Sequence, residues 1–162
     1  MKYILNTTVK SLSRVSGSTV LAAILLASIA ASPGASAQIA VIGNTEDGTT
    51  DLTMLELQQV YAGQSGRFTS ICIQRSLSDA FFGVVLDRTD HAIRKHWIKL
   101  LLSGQVPQGP VGLRTDEEVI DYVRSHTGAI GFVSAASVTD DVRLIQIDGR
   151  RPGQAGYAIN SR

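Results

Sequence analysis

Apolar residues fall in short blocks along this chain, and the spacing inside each block separates strands from helices. Short apolar-rich runs at Ile39–Gly43 ("IAVIG"), Arg67–Ile73 ("RFTSICI"), Ala129–Val133 ("AIGFV") and Val142–Ile147 ("VRLIQI") read as strands, and "VGL" at Val111–Leu113 as a shorter one. Between them the period becomes helical. In "TMLELQQVYAG", Thr53 and Glu56 have the spacing of a capping box, Leu57, Val60 and Tyr61 form one face, and Gly63 stands where the helix closes. "SDAFFGVVL" predicts a helix with Ala80, Phe81, Val84 and Val85 turned inward. "DHAIRKHWIKLLLSG" predicts another, with Ile93, Trp97, Leu100 and Leu101 on its buried face and Gly104 as its stop. A fourth, "TDEEVIDYVRSHTG", has a second capping box in Thr115 and Glu118, and Gly128 is expected at its C′ position. "NTEDGTTD" and "QVPQGP" are turn-rich connections, and the Gly-rich tail "GRRPGQAGYAINSR" is expected to be extended. Strands alternating with helices imply an α/β fold, a mostly parallel sheet flanked by helices.

The first 37 residues follow a different logic. Lys2, Lys10 and Arg14 precede the apolar run from Val20 to Ala31, and "ASA" at Ala35–Ala37 puts small residues where a signal peptidase cuts. This predicts a secretory signal over residues 1–37, cleaved before Gln38. The run is shorter than the roughly 20 residues that span a bilayer, and Pro33 and Gly34 interrupt its exit, which weighs against a membrane anchor. Residues 38–162 are then expected to be a single domain, periplasmic or secreted. Losing those three cations and no acidic residue takes the formal net charge from +1 to −2, which argues against nucleic acid or an anionic membrane as partner. Cys72 is the single cysteine, so no internal disulfide forms, and its place between Ile71 and Ile73 predicts a buried, inert thiol.

Catalytic patterns are scarce. His91 and His96 are five apart, which does not put them on one helix face, and no neighbouring carboxylate completes a metal spacing. "GQSGR" at Gly63–Arg67 departs from the G-x-S-x-G nucleophile elbow: Arg67 takes the place of the second glycine, and the segment leads from helix to strand. Ser65 reads as a turn residue. The acidic run Asp116–Glu118 sits where a helix macrodipole favours carboxylates. No enzyme, metal or cofactor is implied.

The remaining candidate is the join inside "IQRSLSDAFFGVVL", where a strand runs into a helix. N–H groups at a helix start are unpaired and partly positive, so Arg75, Ser76 and Ser78 together offer charge, hydroxyls and backbone donors to an oxyanion. The same residues also suit an ordinary helix cap, with Arg75 paired to a carboxylate.

The order of segments resembles a known family. "LTMLELQQVYAGQSGRF", "SDAFFGVVLD", "HWIKLLLSG", "TDEEVIDYVRSHTGAIGFV" and "VRLIQIDGRRPGQAGYAI" together are similar to the phosphate-binding proteins of bacterial ABC transporters, in the type II periplasmic binding protein superfamily. The resemblance implies one lobe of that α/β fold, whose relatives hold phosphate between two lobes with hydroxyls and N–H groups at helix starts. It implies ligand-binding roles for Arg75, Ser76 and Ser78, and as partners phosphate or a similar oxyanion, a membrane transporter or other envelope protein, and a homodimer that rebuilds a two-sided cleft. Three departures stand out. The match begins at the crossing into the second lobe, so the first lobe has no counterpart. "RSLSDAF" has Leu77 where the family's Ser-Gly-Thr type sequence has glycine, and Phe68 replaces the family's tryptophan. These departures lead to an expectation of weak or partner-assisted binding, with an envelope interaction module as the alternative.

Overall fold

The structure is a computed structural model that describes residues 38–160. The predicted secretory signal, residues 1–37, lies outside the described residues. In chain order the elements are β1 (Ile39–Gly43), β2 (Asp51–Leu52), α1 (Met54–Tyr61), β3 (Ser70–Gln74), α2 (Ser78–Val85), α3 (Asp90–Leu102), β4 (Val111–Leu113), α4 (Asp116–Ser125), β5 (Ala129–Ser134) and β6 (Arg143–Ile147). The strands form one mixed sheet in the order β2-β6-β1-β5-β3-β4. β3 runs parallel to β4 and β5, and β2 parallel to β6, as helical crossovers require. β1 is antiparallel to both its neighbours, β5 and β6. Those two strands come from the far end of the chain, so no single crossover helix dictates their direction relative to β1.

Alternation along the strands gives the sheet two buried faces. Ile39 and Val41 of β1, Ile71 and Ile73 of β3, Ile130 and Phe132 of β5, and Ile145 and Ile147 of β6 face α1, α2 and α3. Ile42, Cys72, Ala129 and Val133 face the opposite way, against Val119, Ile120 and Val123 of α4. α4 lies so close that a Cβ on Gly131 would stand 2.8 Å from Val119 Cγ1 and 3.2 Å from Cys72 Cβ, so only glycine fits there. The Cys72 thiol is pushed up to about 12 by burial, in keeping with an inert packing role.

Helix ends follow their sequence signals closely at one site and loosely at another. At α1, Glu56 N–H donates to Thr53 Oγ1 and Thr53 N–H donates back to Glu56, a complete capping box. It closes in a Schellman pattern: Gly63, at φ +72°, donates to Val60 O and Gln64 to Gln59 O. α3 closes the same way around Gly104. At α4, Thr115 accepts from Glu118 N–H, but Glu118 Oε2 reaches Arg114 N–H rather than Thr115. Gly128 lies one position beyond C′, because the helix ends at Ser125 with His126 as its cap. Asn44, nearly fully buried, donates to Val123 O and Arg124 O and so ties the end of α4 to the exit of β1.

Three expectations about burial are corrected. In α3, Ile93 and Trp97 are buried, but Leu100 is only half-buried and Leu101 is exposed, although both were expected on the buried face. In α2 the inward residues are Phe81, Phe82 and Val85, while Ala80 and Val84 are only half-buried, because Phe82 extends the aromatic cluster under α1. The tail is not extended: it turns through residues 152–156 and returns to bury Tyr157 and Ile159, with Tyr157 donating to Ile39 O at 2.7 Å.

Trp97 belongs to the core: its Nε1–H donates to Tyr61 O at 3.0 Å, and its ring packs under Gly63. Trp97→Ala is expected to destabilise the protein by about 3–5 kcal/mol, read from urea unfolding. A loss under about 1 kcal/mol would contradict this placement.

Candidate functional site

The parallel strands β3, β4 and β5 end at one edge of the sheet, and α2 and α4 begin there. Ligands of open α/β sheets sit beyond such carboxyl ends, where helix starts converge. At this edge the central side chain is Gln74, the last residue of β3, only 5% exposed. Its Oε1 accepts from Leu77 N–H at 2.8 Å and from Ser76 Oγ–H at 2.9 Å, and its Nε2 donates to Asp116 Oδ1 at 3.1 Å. Asp116 Oδ2 in turn accepts from Ser134 N–H at the end of β5. One amide and one carboxylate thus lock together the ends of β3 and β5 and the starts of α2 and α4.

The three residues singled out from the sequence are placed around this network in different ways. Ser78 opens α2 and is buried, and its hydroxyl donates to Arg75 O at 2.9 Å. A donating hydroxyl does not cap, and the N-cap position is held by Leu77 with no side-chain bond; Gln74 supplies the acceptor instead. Ser76 is exposed, with its proton on Gln74. The Arg75 guanidinium lies across Gly112 of β4, where a Cβ would meet its Nε at 2.9 Å, and lines a groove against α3 whose walls include neither serine. It makes no ion pair or side-chain hydrogen bond among the described residues. The structure therefore brings Ser78 to the Arg75 backbone and Ser76 to Gln74, and turns the Arg75 side chain towards α3.

Open donors remain at the start of α2. The first helical bond is Phe81 N–H to Leu77 O, and the N–H groups of Ser78, Asp79 and Ala80 have no acceptor among the described residues. Asp79, the one acid of this turn, directs Oδ1 to Asp90 N–H. Beside these donors Asp79, Ala80, Gly83 and Val84 line an open groove of about 490 Å³ with Asn160. Asn160 pairs with Gln38, so the chain enters and leaves the sheet side by side next to this groove.

Other chemistry is structural. Ser65 accepts from Arg67 N–H in its turn, as a turn residue does. His96 Nε2 lies 2.9 Å from Ala62 O, and the His126 ring stacks on Tyr122 at 3.9 Å. His126 also touches Ser125, but that hydroxyl donates to Asp121 O. Among the described residues no group of His, Cys, Asp and Glu gathers to hold a metal ion, and no helix is long and apolar enough to cross a membrane.

Sequence reasoning missed Gln74 and Asp116. A polar residue closing the apolar run "ICI" was the available signal for Gln74, whereas Asp116 was absorbed by the macrodipole explanation of the acidic run.

The architecture is an α/β lobe of the kind found in periplasmic binding proteins, and the comparisons with solved structures agree. An ABC-type phosphate transport receptor from Vibrio cholerae superposes with a TM-score of 0.58 at 19% identity, over 76% of this chain and 53% of its own. A phosphate ABC transporter substrate-binding protein with bound phosphate from Clostridium perfringens gives 0.55 at 18% identity, over 70% and 46%. PstS from Borrelia burgdorferi gives 0.56 at 13% identity, over 78% and 55%. The chain therefore spans about half the length of these proteins, and at such identities the likeness is one of fold. No protein-family model and no curated protein matches the sequence.

Gln74→Ala removes the donor to Asp116 Oδ1 and the side-chain acceptor of Ser76 Oγ–H and Leu77 N–H, so that Leu77 keeps only its longer bond to the Gln74 carbonyl and the half-buried Asp116 Oδ1 loses its partner. A destabilisation of about 1–3 kcal/mol in urea unfolding is expected, and a change within about 0.5 kcal/mol would show that the amide does not hold this edge together.

Proposed function

We propose that this chain is an exported solute-binding-protein-like lobe that holds phosphate or a similar oxyanion weakly at the start of α2. The observation that carries the reading is the run of N–H donors without acceptors at Ser78, Asp79 and Ala80, three residues on from Arg75, whose side chain rests over Gly112 with no ion partner among the described residues. Backbone donors at the positive end of a helix suit a tetrahedral anion, and a guanidinium that swings from Gly112 adds charge and a forked donor set. The fold likeness to phosphate receptors, one of them with phosphate bound, supports the same choice of ligand. Binding is weak in this reading for two reasons. Ser76 and Ser78 have their protons engaged within the protein, and the groove beside α2 is open, so each contact to the anion competes with water.

In the same reading the signal over residues 1–37 is cleaved, residues 38–162 form a single domain in the periplasm or outside the cell, and an ABC-type membrane transporter or another envelope protein receives the loaded lobe. Pairing of two copies across the groove would give the anion a second wall. The protein is a binder, with no catalytic step and no nucleic-acid partner. A second reading, an envelope interaction module that keeps the lobe without a ligand, is favoured by the Asp116 carboxylate at the same edge and by the two internally bonded hydroxyls.

Two experiments test this. Calorimetry at millimolar phosphate is expected to show saturable heat, with Arg75→Ala lowering affinity roughly ten- to a hundredfold in a salt-sensitive way and leaving the ligand-free melting temperature unchanged. Absence of heat and of thermal stabilisation in the unmutated protein, as monomer or dimer, would leave the interaction-module reading. Intact mass of the protein from its native envelope fraction is expected to match a chain starting at Gln38; a mass retaining Met1–Ala37 would mean an anchored protein.

A further inference from the structure

We propose that the groove between α3 and β4 is a docking site for an acidic protein segment that carries aliphatic side chains. α3 buries Ile93 and Trp97 but leaves Ile98, Leu101 and Leu102 at 55%, 40% and 84% exposure. Their spacing, i, i+3 and i+4, puts them on one side of the helix. Ile98 and Leu101 join Ile73, Trp97 and Pro110 in lining a groove of about 280 Å³, so the exposed stripe continues inward into a concavity. Single exposed apolar residues are ordinary, whereas a contiguous patch that leads into a pocket marks an interaction surface.

The charges around the groove identify the occupant. Arg75 and Arg94 stand in its walls, and Lys95 and Lys99, one helical turn apart, flank the stripe on the exposed surface of α3. α3 carries a single acid, Asp90, which is already paired with Arg94 at 2.6 Å. Arg75, Lys95 and Lys99 have no ion partner among the described residues. Two arginines in the walls, one of them paired, and two unpaired lysines beside the exposed stripe present a positive, apolar surface, whose complement is negative with aliphatic anchors. An extended segment seated there also runs beside the free edge of β4, the last strand of the sheet. A second copy fits less well, since a symmetric pairing brings both sets of cations into one interface. A bilayer fits less well too, because the groove's apolar floor lies below its rim, with Trp97 only 5% exposed.

Trp97 is the protein's one tryptophan and lines this groove, so its emission responds when the groove is filled. The full chain is used to select from a library of random linear peptides, and a synthetic copy of the enriched sequence is titrated against Trp97 fluorescence. The expected result is enrichment of Asp and Glu beside Leu, Ile or Val, a saturable change in Trp97 emission, and a loss of affinity of about tenfold or more in both Arg94→Glu and Ile98→Asp, with the melting temperature of Ile98→Asp kept. Arg75 is common to this groove and to the anion site at α2, so Arg75→Ala is expected to keep saturable peptide binding through Arg94, Lys95 and Lys99 while phosphate binding is weakened, which keeps the two sites separate. Enriched peptides without acidic bias, or unchanged affinity in both variants, would overturn the proposal. So would Trp97 emission that responds to phosphatidylglycerol vesicles and to no peptide, or self-association of the chain that Ile98→Asp abolishes.

Discussion

Three helices are fixed to the sheet through one residue, Tyr61. It ends α1, has no exposed surface, and meets Phe81, Phe82 and Phe132 edge-on at 4.8, 6.0 and 5.8 Å. Phe81 stacks on Phe132 at 3.9 Å, so α2 is held from two directions at once. The Tyr61 hydroxyl reaches Cys72 O on β3 at 3.4 Å, and its carbonyl accepts the Trp97 indole of α3. Such aromatic pairs contribute about 0.5–1.5 kcal/mol each beyond the area they bury. Here their geometry matters more than their energy. With Phe81 clamped between Tyr61 and Phe132, α2 can neither rotate nor slide, and its first turn must lie directly past the end of β3.

That placement makes the start of α2 chemically interesting and also limits it. A short helix aimed outward from the carboxyl edge of a sheet presents partial positive charge to whatever lies beyond. The protein answers part of that charge itself. Gln74 takes the Leu77 N–H, Ser78 turns its hydroxyl to a carbonyl, and the Asp116 carboxylate settles on Ser134 N–H and the Gln74 amide. What remains for a ligand is a small set of backbone donors, that of Ser78 in a buried residue and those of Asp79 and Ala80 beside an open groove, with a charge from Arg75 that must first leave its position over Gly112. A hydrogen bond to a charged group is worth about 1.5–3 kcal/mol when water is kept out, and less where water competes. An anion at this helix start is therefore held loosely.

Much of this organisation was legible in the chain. The four helices, the α/β class, the complete capping box at Thr53 and Glu56 and the core role of Trp97 all follow from local spacing, because each is set by neighbours a few residues apart. Features that depend on distant partners were not legible. The antiparallel direction of β1 depends on strands contributed by the far end of the chain, and Phe82 rather than Val84 is buried because of where α1 and β5 lie. The same limit governs the site. Arg75, Ser76 and Ser78 were visible as residue types, but nothing in "IQRSLSDAF" reveals that Gln74 takes the Ser76 proton, that Ser78 turns to the Arg75 carbonyl, or that Asp116, on another helix, completes the network. Gly112 likewise gains meaning only once Arg75 is seen lying over it.

Whether the unpaired donors at the start of α2 hold an oxyanion is read from backbone amide shifts in an isotope-labelled sample as phosphate is added. The amides of Ser78, Asp79 and Ala80 are expected to move furthest, together with the Arg75 side chain, and to saturate at millimolar concentration. Shifts that never saturate, or that centre anywhere other than this helix start, would contradict binding there.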